Sequence, residues 1–422
     1  MSGILDFRSI LDCQRRGRSR RHGTIFIAAL GTTVILAGLV LAFAEKMRTE
    51  ALASANRLSY LQADAVEQAA EQFVLAQVDE YTTDAVTITE VPAAGLQVGN
   101  GYFWILRPNQ DEDDQYDFGI ADECSKLNIS HAPRSGTTIT PEQEGDMWMN
   151  LPNMTQDVAD AIADWHRGGN NPTSDGAESS YYQSLPEQYD CKNNLFETVE
   201  ELFLVRGVTP QLMFGYDTNR NGVIDANEQS SGGLNASMGS NGPTASRGIY
   251  QFLTAWSHGQ MPTGGPNPPT TNIGLINVNT APVTVLECLP GTNNGFLSEA
   301  DAEAIVSERE SGTTTGTRWV QSVLTSRSDY ALIRDAITGG SFDYSADIVA
   351  VSADGRAFKR VLIVVDCSPT SARSQEATTP SKIIYRRDLT SYGWPLWPEL
   401  RQSMQSGQGV PSQYQETSEN SQ

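Results

Sequence analysis

Asp217, Asn219, Asn221, Asp225 and Glu228 occupy places one, three, five, nine and twelve of a single stretch, with Gly222 at six and Ile224 at eight. Oxygen-bearing side chains at this spacing, a glycine for the sharp turn and a closing glutamate that can grip through both oxygens form the loop that encloses calcium. That ion takes roughly six to eight oxygens, one of them here the Val223 carbonyl. A calcium at this place would be structural, pinning a loop with little apolar content of its own. Residues 214–216 show no helix leading in and none leads out after Glu228, so the sequence predicts a lone loop rather than a paired module. The competing reading of the same residues is an Asx-rich surface turn. The run Asp111 to Asp114 is a weaker cation candidate and reads as a solvated turn.

Other chemistry finds little support. His131, His166 and His258 are scattered without metal-ligand or nucleophile spacing, and His166 reads as a surface or capping residue. Trp104 and Trp165 read as core aromatics. No carboxylate pair stands out, so no catalytic residue is assigned and the chain is not expected to be an enzyme. Cys124, Cys191, Cys288 and Cys367 form an even set that, in an oxidising compartment, permits two disulfides in any of three pairings. Their long spacings do not resemble a zinc site.

The elements that must carry these residues begin with an uncharged run over residues 24–44, preceded by six arginines between Arg8 and Arg21. At about 1.5 Å per residue this run spans roughly the 30 Å of a bilayer's hydrocarbon core. The positive-inside rule sets the arginine arm in the cytoplasm and exports the rest. The arm to Gly23 holds six of the 29 basic residues and two of the 51 acidic ones, which leaves 23 against 49 beyond it, a net −26. A surface that acidic repels phosphate backbones. Residues 45–78 contain neither Pro nor Gly, and Leu58, Leu61, Ala65, Ala69, Phe73 and Ala76 recur at spacings of three and four. The membrane helix is therefore expected to continue outward as an amphipathic rod.

Residues 101–107 and 116–121 read as strands, as do 342–353, 356–366 and 381–389, with Asp354 and Gly355 turning the hairpin between 342–353 and 356–366. The two groups of strands should share one antiparallel sheet, interrupted by a long insertion of short helices and polar loops. Within it, residues 155–166 and 195–205 are predicted helices, the first capped by Thr155. The resulting division is an arm at 1–23, a membrane helix at 24–44, its continuation at 45–80, sheet at 81–127, a helical insertion at 128–340 holding the loop at 217–228, sheet again at 341–396, and a disordered tail at 397–422. The fold class is α+β, a long N-terminal helix packed on an antiparallel sheet with a large, mainly helical inserted domain.

An arginine-rich arm ending in Gly23, then a long half-apolar helix, resembles the type IV pilin-like proteins, in which a prepilin peptidase cuts after that glycine and the new first residue, here Thr24, is methylated. Five ordered stretches narrow the resemblance: residues 120–129 (IADECSKLNI), 160–165 (DAIADW), 176–182 (GAESSYY), 200–210 (EELFLVRGVTP), and 276–282 (INVNTAP) with 289–291 (LPG). Together they resemble the K-type minor pseudopilin of type II secretion, with gaps, from Arg15 to about Pro395. Most pilins carry Glu as fifth mature residue, whereas this family lacks it, and here that residue is Ala28. The resemblance implies a pilin-type helix and sheet with the insertion, calcium in the inserted domain as in some members, and a single-pass protein of the bacterial inner membrane with its C-terminal domain periplasmic. It implies a place at the pseudopilus tip, initiating or capping the filament. Its partners would be other minor pseudopilins, the major pseudopilin, the inner-membrane assembly platform and the prepilin peptidase. A related subunit of a competence or type IV pilus system is the alternative.

A rival class comes from residues 276–309, which resemble the helix-hairpin-helix of membrane-anchored DNA receptors. In those modules hairpin amides and nearby cations hold phosphate. Here Glu299, Asp301, Glu303 and Glu308 surround the hairpin and Arg309 is the one local cation, so nucleic-acid binding is not expected.

Overall fold

The computed structural model describes residues 20–81, 84–108, 116–133, 140–217, 248–260, 271–311, 316–368 and 380–415. The chain divides into two compact units, Met1–Ser59 and Tyr60–Gln422. Helix α1, Arg20–Tyr81, is 62 residues long. In the first unit its side chains from Ile25 to Phe43 are exposed, and the helix is long and apolar enough there to cross a membrane. Thr32 and Thr33 donate their hydroxyls to the carbonyls of Ala29 and Leu30, so neither carries an unpaired donor within this apolar run.

In the second unit α1 packs on a sheet. The strands are β1 (Leu96–Val98), β2 (Gly101–Pro108), β3 (Tyr116–Phe118), β4 (Ala121–Asp122), β5 (Asp343–Val351), β6 (Phe358–Asp366) and β7 (Lys382–Asp388). Their order is β1-β2-β5-β6-β7, with β3 beside β2 and β4 beside β5, and every pairing is antiparallel. Period-two alternation divides the faces. Tyr344, Ala346, Ile348 and Ala350 of β5 join Phe103 and Ile105 of β2 beneath Val66, Ala70, Val74 and Val78 of α1. Val349 and Val351 join Trp104 and Leu106 on the opposite face.

The stripe that α1 buries is not the predicted one. Leu58 and Leu61 are 58% and 53% exposed and Ala65 is exposed, while Ala63, Val66, Glu67, Ala70, Val74 and Val78 are buried. Close approach explains the choice. A Cβ on Gly101 would stand 2.6 Å from Val66 Cγ2, a separation that only glycine permits, so the small and β-branched residues take the seam.

The insertion leaves the sheet after β4 and returns at β5, where Asp122 lies opposite Tyr344, so its two ends stand side by side. It contains α2 (Pro141–Trp148), α3 (Gln156–His166), α4 (Val283–Leu286), α5 (Glu299–Ser311) and α6 (Arg327–Ile333) around one core. Trp148, Trp165, Tyr182, Phe252 and Leu286 are fully or almost fully buried there. Thr140 and Gln143 close a reciprocal capping box on α2, with Pro141 at its first turn. Thr155 stands at the N-cap of α3, but its hydroxyl donates to Asp157 rather than accepting from the helix backbone.

The helix predicted over 195–205 is reduced to a 3-10 segment, Val199–Leu204. Ser130 Oγ takes the Phe196 amide and the Glu201 carboxylate takes that of Glu197, which holds those residues outside the helix.

The tail also departs from expectation. Helix α7, Pro398–Gln405, and a turn at Ser412–Tyr414 follow β7. Leu396, Leu400 and Met404, four residues apart, are buried against Trp104, Leu106, Val349 and Val351, and Trp104 Nε1 donates to the Tyr414 carbonyl at 3.0 Å. The tail is ordered to residue 415 because the second face of the sheet supplies a core that the tail's own composition lacks.

Candidate functional site

Gly23 and Thr24, the predicted processing residues, lie in the first turns of α1, and Ala28 follows there exposed. Of the predicted calcium ligands, Asp217 is described, and Asn219, Asn221, Val223, Asp225 and Glu228 fall outside the described residues, as does the weaker candidate run 111–114. A one-turn helix, Pro210–Phe214, capped by the Thr209 hydroxyl, leads up to Asp217 where no helix was expected. Among the described residues no group of three or more His, Cys, Asp or Glu is arranged to hold a metal.

The four cysteines are free thiols, all buried, so no disulfide joins them. Cys191 Sγ faces the Trp165 carbonyl at 3.5 Å, Cys288 that of Thr284 at 3.4 Å, and Cys367 that of Phe342 at 3.2 Å. Burial raises the Cys124 thiol well above its ordinary value, with Asp122 reinforcing it, and burial pushes Cys191 up to about 11. Thiols held protonated in this way pack as small apolar groups.

The chemistry that the structure does assemble is a set of buried ions joining the insertion to the sheet, and composition offered no pointer to it. Asp122, 1% exposed, accepts from the Cys124 amide at 2.8 Å, Asn277 Nδ2 at 2.7 Å and the Thr280 hydroxyl at 2.5 Å. Glu123 accepts from Lys126 Nζ and the Thr254 hydroxyl. Asp343, fully buried, accepts from the His258 amide at 2.8 Å and meets His258 Nδ1 at 2.6 Å. Burial raises the Asp343 carboxyl, while its hydrogen bond raises His258. These contacts tie β4 and β5 to strands and loops on both sides of the insertion, and each partner is engaged internally. The arrangement fixes one body to another, with the carboxyls sealed and the His258 imidazole about a third exposed.

Within the insertion, His166 is half-buried rather than superficial. Its Nε2 lies 2.7 Å from Glu144 Oε1, and Arg167 donates from Nε to Glu144 Oε2 at 2.9 Å. Burial raises the Glu144 carboxyl, but His166 and Arg167 outweigh it and hold the group below its ordinary value. Trp165 and Trp104 are core residues, as expected, 2% and 0% exposed.

The segment at 276–309 that resembles a helix-hairpin-helix folds as two helices joined by a turn. Between α4 and α5 the Gly291 amide donates to the Gly295 carbonyl at 3.0 Å, and Asn294 and Gly295 adopt positive φ. The Thr292 amide is taken by Asp329, and Arg309 Nη1 donates to the Ala281 carbonyl at 2.5 Å.

A long, apolar N-terminal helix whose distal part packs on an antiparallel sheet, with a mainly helical domain inserted between strands, is the α+β, pilin-type fold expected from the sequence. Residues 147–215, from the end of α2 to the approach to Asp217, match the family model of type II secretion system (T2SS), protein K. The match covers this part of the insertion and likens it to the corresponding part of that family. Among solved structures it is similar to a chain of the GspK-GspI-GspJ complex of the type 2 secretion system of enterotoxigenic Escherichia coli, with 11% identity, a TM-score of 0.46, and 81% of this chain and 99% of that chain covered. No curated protein matches the chain.

Proposed function

We propose that this chain is processed after Gly23 by a prepilin peptidase, anchored in the inner membrane through residues 24–44 with its N-terminus cytoplasmic, and placed at the tip of a type II secretion pseudopilus. The observation that supports this most is the pairing of the exposed apolar helix with an insertion of the protein K kind at 147–215. Ala28 offers no carboxylate to a neighbouring subunit's amine, which suits a subunit with nothing stacked above it. Its work would be mechanical, initiating or capping a filament with other minor pseudopilins beside it and the major pseudopilin below. The buried ions that join the insertion to the sheet suit that role, since an element carried on a moving filament must not swing on its base. The loop at 217–228 would hold a structural calcium.

N-terminal sequencing of protein extracted from membranes tests the reading. A start at Thr24 is expected, and an intact Met1 would overturn the processing on which assembly depends.

A further inference from the structure

Helix α1 and the edge strand β7 meet through two carboxyls and one guanidinium. Arg386 of β7 donates from Nη2 to Glu67 Oε1 and from Nε to Glu71 Oε1, each at 2.7 Å. Glu67 and Glu71 are one helical turn apart, so they share a face of α1, and their carboxyls lie within hydrogen-bonding reach of each other. Glu67 is fully buried, and its Oε2 is sealed from solvent and meets no donor.

Charge and hydrogen bonding lead to the same conclusion. Two carboxylates against one half-exposed guanidinium leave an excess negative charge beside the buried Glu67, and its orphaned oxygen adds its own cost. A single proton on Glu67 Oε2 removes both defects, because it supplies the missing donor toward Glu71 and leaves one carboxylate for Arg386. The remaining charges around the seam do not do this. Asp64 of α1 is held by Lys359 of β6 at 2.7 Å, and Asp388 of β7 accepts from the Thr390 amide at 2.8 Å.

We propose that Glu67, Glu71 and Arg386 form a proton-operated clasp, which binds β7 to α1 while one proton is shared between the carboxyls and slackens when that proton leaves. Burial first, then Glu71, pushes the Glu67 carboxyl from its ordinary 4.5 up to about 7. The folded state thus binds the proton more tightly than the unfolded chain. The clasp's contribution is full below about 4.5 and is lost as pH rises through about 7.

Hydrogen–deuterium exchange on the full chain in detergent micelles, with intrinsic rates corrected for pH, reads the clasp directly at residues 382–388. Exchange there should be about tenfold faster at alkaline than at mildly acidic pH, a change of about 1.4 kcal/mol in opening. In Glu67→Gln, which keeps a donor and carries no charge, the profile should be flat. Glu71→Gln should move the wild-type midpoint toward acid, because the like charge that raises Glu67 is gone. A wild-type profile without pH dependence, or one unchanged in Glu67→Gln, overturns the clasp. Should Glu67→Gln not fold, an unshifted midpoint in Glu71→Gln does so alone.

Discussion

The backbone amide of Thr292 donates to Asp329 Oδ1 at 2.8 Å, so the turn between α4 and α5 already holds a carboxylate of its own chain. In a DNA-binding hairpin that amide faces phosphate. The nearby cation is also engaged, since Arg309 serves the Val278 and Ala281 carbonyls that precede α4. The turn therefore works as packing, with α6 supplying the anion. The full chain should show no salt-dependent DNA binding even at low ionic strength, as read by fluorescence anisotropy. Asp329→Ala should instead lower stability by about 1 kcal/mol, the net worth of one hydrogen bond to an exposed turn.

Glu144 places a pH limit on the insertion. Its carboxyl is nearly inaccessible and is held below the ordinary value by His166 and Arg167 against the opposing effect of burial. A depressed carboxyl stabilises the fold above its unfolded value, and that contribution is lost as pH falls through the folded one. Thermal unfolding midpoints should thus fall below about pH 4.5, where the unfolded glutamate begins to take up protons. Glu144→Ala, which strands His166 and Arg167, should cost about 3–5 kcal/mol at neutral pH and flatten that acid limb. An unaltered limb in the variant would assign acid sensitivity to other carboxyls.

For the loop at 217–228 the prediction concerns stability rather than activity. An ion that binds only the folded chain raises stability by about 2.7 kcal/mol at a hundredfold excess over its dissociation constant. Chelator should lower the wild-type melting midpoint, and added calcium should restore it. Asp217→Ala should melt at the chelated wild-type temperature whether or not calcium is present. Equal midpoints for the wild type with and without chelator would favour the Asx-rich turn.

Much of the architecture was legible because it rests on local pattern. The alternation along β5 and β6 and the Asp354-Gly355 turn, with Gly355 at φ +63, are signals a few residues long. The seam of α1 was not legible in the same way. Bulk marked Leu58 and Leu61 as the core stripe, yet the helix approaches β2 too closely for leucines, and smaller residues won. The buried ions escaped notice for a different reason. Asp122 meets its partners Asn277 and Thr280 across 155 and 158 residues of chain, and nothing local distinguishes it from 50 other acidic side chains. The cysteine count was compatible with disulfides, but only the fold determines whether two thiols meet, and here Cys191, Cys288 and Cys367 each face a carbonyl while Cys124 lies beside Asp122.

The tail offers the sharpest contrast between composition and context. Residues 397–415 carry few apolar groups, but Leu400 and Met404 fall on one side of α7 and Leu396 just precedes it, which is enough to cover Trp104. The docking is reinforced at its base, where Arg401 Nε donates to the Gly355 carbonyl at 3.3 Å and the Arg401 guanidinium lies 5.0 Å from the Phe358 ring centroid. Leu400→Ala should therefore destabilise the folded unit by about 2–5 kcal/mol, as for other fully buried leucines. The same substitution at Leu195, which is 47% exposed, should cost far less. Limited trypsin digestion provides an independent readout, since cleavage after Arg401 requires α7 to lift from the sheet. The wild type should resist cleavage there, Leu400→Ala should be cut early, and Leu195→Ala should behave as wild type. Equal cleavage in all three would mean that α7 does not depend on the sheet for its order.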